Sequence, residues 1–216
     1  MSNDANVDRH NSEIPIFYAK SKQEGHHKYL EPAFKKIFTD VSLGAKILDM
    51  GCGTGYLTNA MAQMGYQVSG MDVSESGVRL AQATYPHLKF YKASVVDNSL
   101  GETTGKDFDV VTAFELIEHI YSPRAFFENS YKLLKPKGVL VISTPYHGYF
   151  KNLLMTLSGR FDRHVMSAHE GGHIKFWSKK TLTNILAKYG FETVDFKGCG
   201  SFPFLWKSML LKAYKK

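Results

Sequence analysis

From residue 46 onward, short apolar runs alternate with segments of helical period, and this alternation leaves the chain very few ways to fold. KILDM, QVSGMD, KFYKAS, FDVVTAF and GVLVIS read as strands bounded by glycine, proline or polar residues. Between them the spacing predicts a helix over about 56–64 stopped by Gly65, and another over about 75–84 stopped near Pro86. A third runs to about 134 with Ser122 as N-cap and Pro123 at the first helical position. Apolar strands separated by helices imply a parallel sheet covered on both faces, with right-handed crossovers. The expected fold class is therefore α/β, Rossmann-like and doubly wound.

Outside this block, Tyr29, Ala33, Phe34, Ile37 and Phe38 recur at helical spacing, Ser178 can cap a helix that Gly190 ends, and FETVDFK reads as a further strand. The tail FPFLWKSMLLKAYKK fits either a basic amphipathic helix or a loop followed by a strand SMLLKAY. Residues 1–13 are polar without apolar period, which predicts a disordered tail. No repeat or Pro/Gly-rich linker interrupts the rest, so 14–216 is expected to form a single domain with a lid-like insertion at about 146–175. Within that insertion, Phe150, Leu153, Leu154, Leu157 and Phe161 share one helical face. Such a stripe reads first as core, and otherwise as a lid over substrate or a helix lying on a membrane surface.

Composition narrows the setting. Two cysteines without metal-type spacing, Cys52 and Cys199, and no N-terminal apolar signal fit a reduced cytoplasmic compartment. No apolar run reaches the roughly 18 residues a membrane span needs. With 27 basic and 20 acidic residues the net charge is +7, compatible with nucleic acid, an anionic membrane surface or an acidic substrate.

The stretch ILDMGCGTGY places Gly51, Gly53 and Gly55 directly after a strand and before a helix, where a ligand approaches the backbone closely. A dinucleotide fingerprint wants its third glycine at position 56, which is Tyr56. The loop, preceded by Asp49, suits instead a ligand with a cationic amino-acid end. Asp72, ending the second strand 21 residues past Gly51, is placed to accept from ribose hydroxyls. Nucleoside plus amino acid describes S-adenosylmethionine.

At these residues the chain resembles the class I S-adenosylmethionine-dependent methyltransferases, through ILDMGCGTG, Asp72, KASVVD, FDVVTAFELIEH and LLKPKGVLVIS. The resemblance implies a seven-stranded, mostly parallel sheet with an antiparallel last strand, which favours loop plus strand for the tail. It also implies that Asp49, Gly51 and Gly53 surround the methionine amino group, that Asp72 meets the ribose, Val73 the adenine face and Ser94 and Val95 the adenine edge, and that Gly55 and Phe114 complete the cofactor site.

FELIEHI puts Glu115, Glu118 and His119 at i, i+3 and i+4, one face of a helical turn, at the end of the fourth strand. GGHIKFW offers His173 as a further polar group. FELIEH, STPYHGYFKNLLMTLSGRF and GGHIKFWS together are similar to the ubiquinone-biosynthesis O-methyltransferases. ELIEH with GGHIKFW is also similar to the small-RNA 3′-terminal 2′-O-methyltransferases, where the corresponding residues hold a divalent metal over vicinal hydroxyls. Two carboxylates and two imidazoles suit Mg²⁺ or Mn²⁺ and also admit Zn²⁺ or Fe²⁺. Three readings stay open: a metal held by Glu115, Glu118, His119 and His173; His119 as a metal-free base with Glu118 beside it; and packing alone.

The expected activity is methyl transfer to an oxygen of a small phenol, catechol or quinone-like acceptor, with peripheral membrane contact compatible with the apolar stripe. The alternatives are metal-dependent RNA 2′-O-methylation, disfavoured because basic residues are not clustered with aromatics, and a cofactor-binding regulator without turnover.

Overall fold

The computed structural model of the chain describes residues 18, 25–161 and 172–216. The predicted tail over 1–13 and the stretch 162–171 of the predicted lid lie outside these residues. In chain order the elements are α1 (His27–Ile37), β1 (Lys46–Met50), α2 (Tyr56–Gln63), β2 (Gln67–Asp72), α3 (Glu75–Thr84), β3 (Lys89–Lys92) and α4 (Leu100–Thr104). There follow β4 (Phe108–Ala113), α5 (Pro123–Leu133), β5 (Leu134–Pro145), α6 (Tyr149–Leu157), α7 (Lys179–Lys188), β6 (Phe191–Cys199) and β7 (Ser208–Lys215).

The seven strands form one sheet in the order β3-β2-β1-β4-β5-β7-β6. β1 to β5 pair in parallel, whereas β7 runs antiparallel to both β5 and β6. The tail is thus loop plus strand. As a strand, SMLLKAYK sends Met209 and Leu211 to one side of the sheet and Leu210 to the other, where each is buried.

The same two-residue period divides the core. Leu48, Val111, Leu140 and Ile142 face the layer containing Phe126 and Phe127 of α5 and Leu182 of α7. Ile47, Val110, Val139 and Val141 face Leu30, Phe34 and Ile37 of α1 and Met61 of α2. Burying each such large side chain contributes about 1.5–3 kcal/mol before entropy is counted.

Capping follows the sequence at Ser178, which with Thr181 forms a reciprocal capping box; at α3 the cap is Ser74, whose Oγ accepts from Gly77 N at 3.1 Å. At α5 Ser122 holds the N-cap position and Pro123 opens the helix, yet the Ser122 side chain makes no capping bond.

The apolar stripe of α6 departs from its first reading as core. Leu157 is 75% exposed and Phe150 52%, with Leu153, Leu154 and Phe161 also on the surface. The one residue α6 buries is its lysine, Lys151. α6 starts just beyond Pro145, the end of β5, and among the described residues nothing covers its leucines.

Strand order reverses between β2-β1 and β1-β4, and the loops after β1 and β4 diverge there, opening a crevice at the carboxyl edge of the sheet.

Candidate active site

The loop after β1 is shaped by backbone that only glycine adopts easily: Gly51, Gly53 and Gly55 have φ of 72°, 53° and 80°. Gly51 N and Cys52 N both donate to Met71 O, at 2.8 and 3.0 Å, fastening the loop to the end of β2. Asp72 completes the fastening, accepting from Gly53 N and from Ser74 N at 2.8 Å each. A Cβ on Gly53 would stand 3.1 Å from the Tyr18 hydroxyl, so an aromatic ring from the N-terminal segment lies on the loop. A Cβ on Gly55 would stand 2.8 Å from the Phe90 ring. Gly55 therefore serves the packing of the loop onto β3.

Asp49, 2% exposed, accepts from Thr58 Oγ1 at 2.7 Å and from Thr112 Oγ1 at 2.8 Å. Burial pushes its carboxyl up to about 6, against the two hydroxyl bonds, and the neighbouring Asp72 adds to the rise. Asp72 is raised as well, chiefly by burial, while its bonds from Ser74 and Gly53 pull it down.

Asp49, Gly51, Gly53 and Phe114 line a cavity of about 680 Å³. The same cavity is lined by Glu115, Glu118, His119 and His173, so the glycine loop and the acid/imidazole group share one space. Gly55, Asp72, Val73, Ser94 and Val95 are outside that lining. Val95 is buried in the core layer of α5, whose Asn129 donates to Val95 O at 2.9 Å. Phe114 packs on Phe34, with ring centroids 5.6 Å apart.

ELIEH is a turn, and the expected helical face is absent. β4 ends at Ala113, and Glu115 adopts a left-handed φ of 47° that reverses the chain. Its carboxylate points back to the sheet, accepting from Ser143 Oγ at 2.8 Å and Ser208 Oγ at 2.9 Å. Burial pushes Glu115 up to about 7, against these two bonds and the charge of Lys151.

Glu118, His119 and His173 do converge: one ligand atom from each lies within 4.8 Å of the others. His173 arrives because the returning chain bonds to the turn, Ile174 N and Lys175 N donating to Glu118 O at 2.9 and 3.1 Å. The His119 and His173 rings meet edge to face at 5.1 Å. His119 Nδ1 lies 3.3 Å from Gly172 O, and since a carbonyl only accepts, Nδ1 carries the proton and Nε2 of the neutral ring is the basic nitrogen. Glu118 is 1% exposed; Oε2 accepts from Thr144 Oγ1 at 3.0 Å, while Oε1 accepts no hydrogen bond. Burial, then the charge of Glu115, holds Glu118 well above the usual carboxylate range. Glu115 stays outside this cluster, so the four-ligand set read from spacing reduces to three.

Several lining residues escaped the sequence reading: Tyr18, His26, His27, Tyr29, Lys151 and Ser208. His27 stacks on Tyr56, ring centroids 4.6 Å apart, and burial followed by the charge of His26 lowers it to about 4. For Lys151 a signal existed, because it is the lone charge in YFKNLLMTL.

A family model described as a methyltransferase domain matches residues 22–195. Curated relatives called ubiquinone biosynthesis O-methyltransferase include one from Psychrobacter arcticus, 31% identical over 160 residues, 72% of this chain and 62% of that one. Another, from Roseobacter denitrificans, is 34% identical over 171 residues, 76% of this chain and 66% of that one. The chain thus spans somewhat less than two thirds of these relatives' length. Among solved structures, magnesium protoporphyrin IX methyltransferase from Synechocystis PCC 6803 with bound SAH aligns with a TM-score of 0.69 at 18% identity, over 92% of this chain and 91% of that one. At that identity the likeness is one of fold.

Proposed function

The chain belongs to the class I S-adenosylmethionine-dependent methyltransferases, and from that premise we propose that it methylates an oxygen of a small phenol, catechol or quinone-like acceptor. The observation that carries this reading is the single cavity joining the glycine loop to His119, Glu118 and His173. The name borne by the relatives, ubiquinone biosynthesis O-methyltransferase, supports oxygen as the accepting atom.

Bound S-adenosylmethionine supplies a sulfonium methyl, whose C–S bond breaks as the C–O bond to the acceptor forms. Asp49 beside Gly51 and Gly53 offers a buried anion for the methionine ammonium. Asp72 holds the loop through the backbone N–H groups of Gly53, Val73 and Ser74 and keeps acceptor capacity for a ribose hydroxyl, with Val73, Ser94 and Val95 continuing along the strand ends toward the adenine. His119 Nε2 takes the acceptor proton, and the Nδ1 bond to Gly172 O fixes the ring for that task.

A divalent cation suits the same cluster. The buried Oε1 of Glu118, which accepts no hydrogen bond among the described residues, and the two imidazoles would form a donor set for Mg²⁺, Mn²⁺ or Zn²⁺. An ion held there would acidify and orient an acceptor with two adjacent oxygens.

The exposed α6 stripe supports a further element: contact with an anionic membrane surface that delivers an apolar acceptor. Among the described residues no helix is long and apolar enough to cross a membrane. The deciding experiment is incubation with labelled S-adenosylmethionine and a panel of catechols, phenols, amines and short RNAs, with and without EDTA. Label in catechols or phenols alone is expected; label in RNA alone would overturn the reading.

A further inference from the structure

α6 is an amphipathic helix mounted backwards, exposing phenylalanine and leucine to solvent and burying a lysine. Turning a lysine inward costs free energy unless the ammonium has partners. Within the described residues Lys151 has one hydrogen bond, from Nζ to Tyr146 O at 2.9 Å, which uses one of its three donors. Lys151 is 9% exposed and lines the same cavity as Glu118, His119 and the glycine loop, with Lys207 the other lysine of that lining. Glu115, whose charge acts on it, already accepts from Ser143 and Ser208, and the two make no ion pair.

We infer that Lys151 is an acceptor-binding residue whose ammonium holds the acceptor as an oxyanion, so that the substrate class is an acidic hydroxyl compound, a phenol or enol, rather than an aliphatic alcohol or an amine. The inference rests on the O-methylation proposed above. An ammonium held on a buried stem beside a hydroxyl favours the ionised form of that hydroxyl. The released proton goes to His119 Nε2 or to water, and the oxyanion is the nucleophile.

The test uses 4-nitrocatechol, whose ionisation is visible in its absorption spectrum, bound to the S-adenosylhomocysteine-loaded full chain in EDTA. In the wild type the bound probe is expected to ionise about 1 pH unit or more below the free probe. Lys151→Met should abolish that shift and Lys151→Arg should restore most of it, each with unchanged S-adenosylhomocysteine affinity. An undiminished shift in Lys151→Met, or no binding or no shift in the wild type, overturns the inference. The proposed function is read separately with S-adenosylmethionine on protein free of S-adenosylhomocysteine, with and without Mg²⁺ or Mn²⁺: a Lys151-dependent shift without methylation of this or any other phenol in the panel under either condition would leave the cation site standing and sink the O-methylation.

Discussion

His119 Nε2 lies 3.9 Å from Oε1 of Glu118, a buried carboxylate oxygen that accepts no hydrogen bond. The gap is too long for a direct bond, and two lone-pair atoms facing each other call for something between them: a proton on one partner or a cation shared by both. The two cases separate by experiment. With a cation, exhaustive EDTA treatment should remove turnover, Mg²⁺ or Mn²⁺ should restore it, and Glu118→Gln or His173→Ala should each lower kcat by about 100-fold or more. With His119 as a plain base, demetallated protein stays fully active, His119→Ala costs about 10²–10⁴ in rate, and His173→Ala is tolerated. S-adenosylmethionine affinity should hold in all of these variants.

Asp49 gives cofactor binding a pH dependence whose sign is fixed by its burial. Its carboxyl stands at about 6 without ligand, and a methionine ammonium beside it favours the charged form, so binding below that pH must expel a proton. Affinity measured by calorimetry should be flat above about pH 6 and weaken toward tenfold per unit below it. Asp49→Asn should bind at least tenfold more weakly at pH 7.5 and lose this dependence. A pH-independent wild type would remove Asp49 from the ammonium site.

Gly55→Ala forces a side chain into a left-handed residue facing the Phe90 ring at 2.8 Å. The expected loss is about 1–3 kcal/mol, read as a fall in Tm of about 2–4 °C per kcal/mol in a chain of this size. Because Gly55 does not line the cavity, cofactor affinity in the folded fraction should change little. A large affinity loss with unchanged Tm would mean that the cofactor reaches this residue.

Leu154→Asp with Leu157→Asp tests the outward face of α6. Both positions are exposed, so thermal stability should stay within about 0.5 kcal/mol of wild type. Flotation with vesicles containing anionic lipid should lose the double variant and retain the wild type. Equal flotation would show that α6 is not the membrane contact, and unfolding would show that the stripe is core after all.

The order of elements was legible in the chain because local signals specify local structure. KILDM and QVSGMD are short apolar runs of strand type, Gly51, Gly53 and Gly55 take backbone that other residues resist, and Ser178 caps the helix it precedes. What only tertiary structure decided is which way side chains face where period fails. The tail became a strand because β5 and β6 left an antiparallel slot between them. ELIEH lost its helical face because the reversal at Glu115 sends that carboxylate to Ser143 and Ser208, residues 28 and 93 positions away. His173 joins His119 through hydrogen bonds onto Glu118 O, a long-range contact without a local sequence signature. Lys151 shows the limit most plainly: periodicity reports that a helix has an apolar face, and only the presence or absence of a neighbouring layer determines whether that face turns toward the protein or toward the solvent.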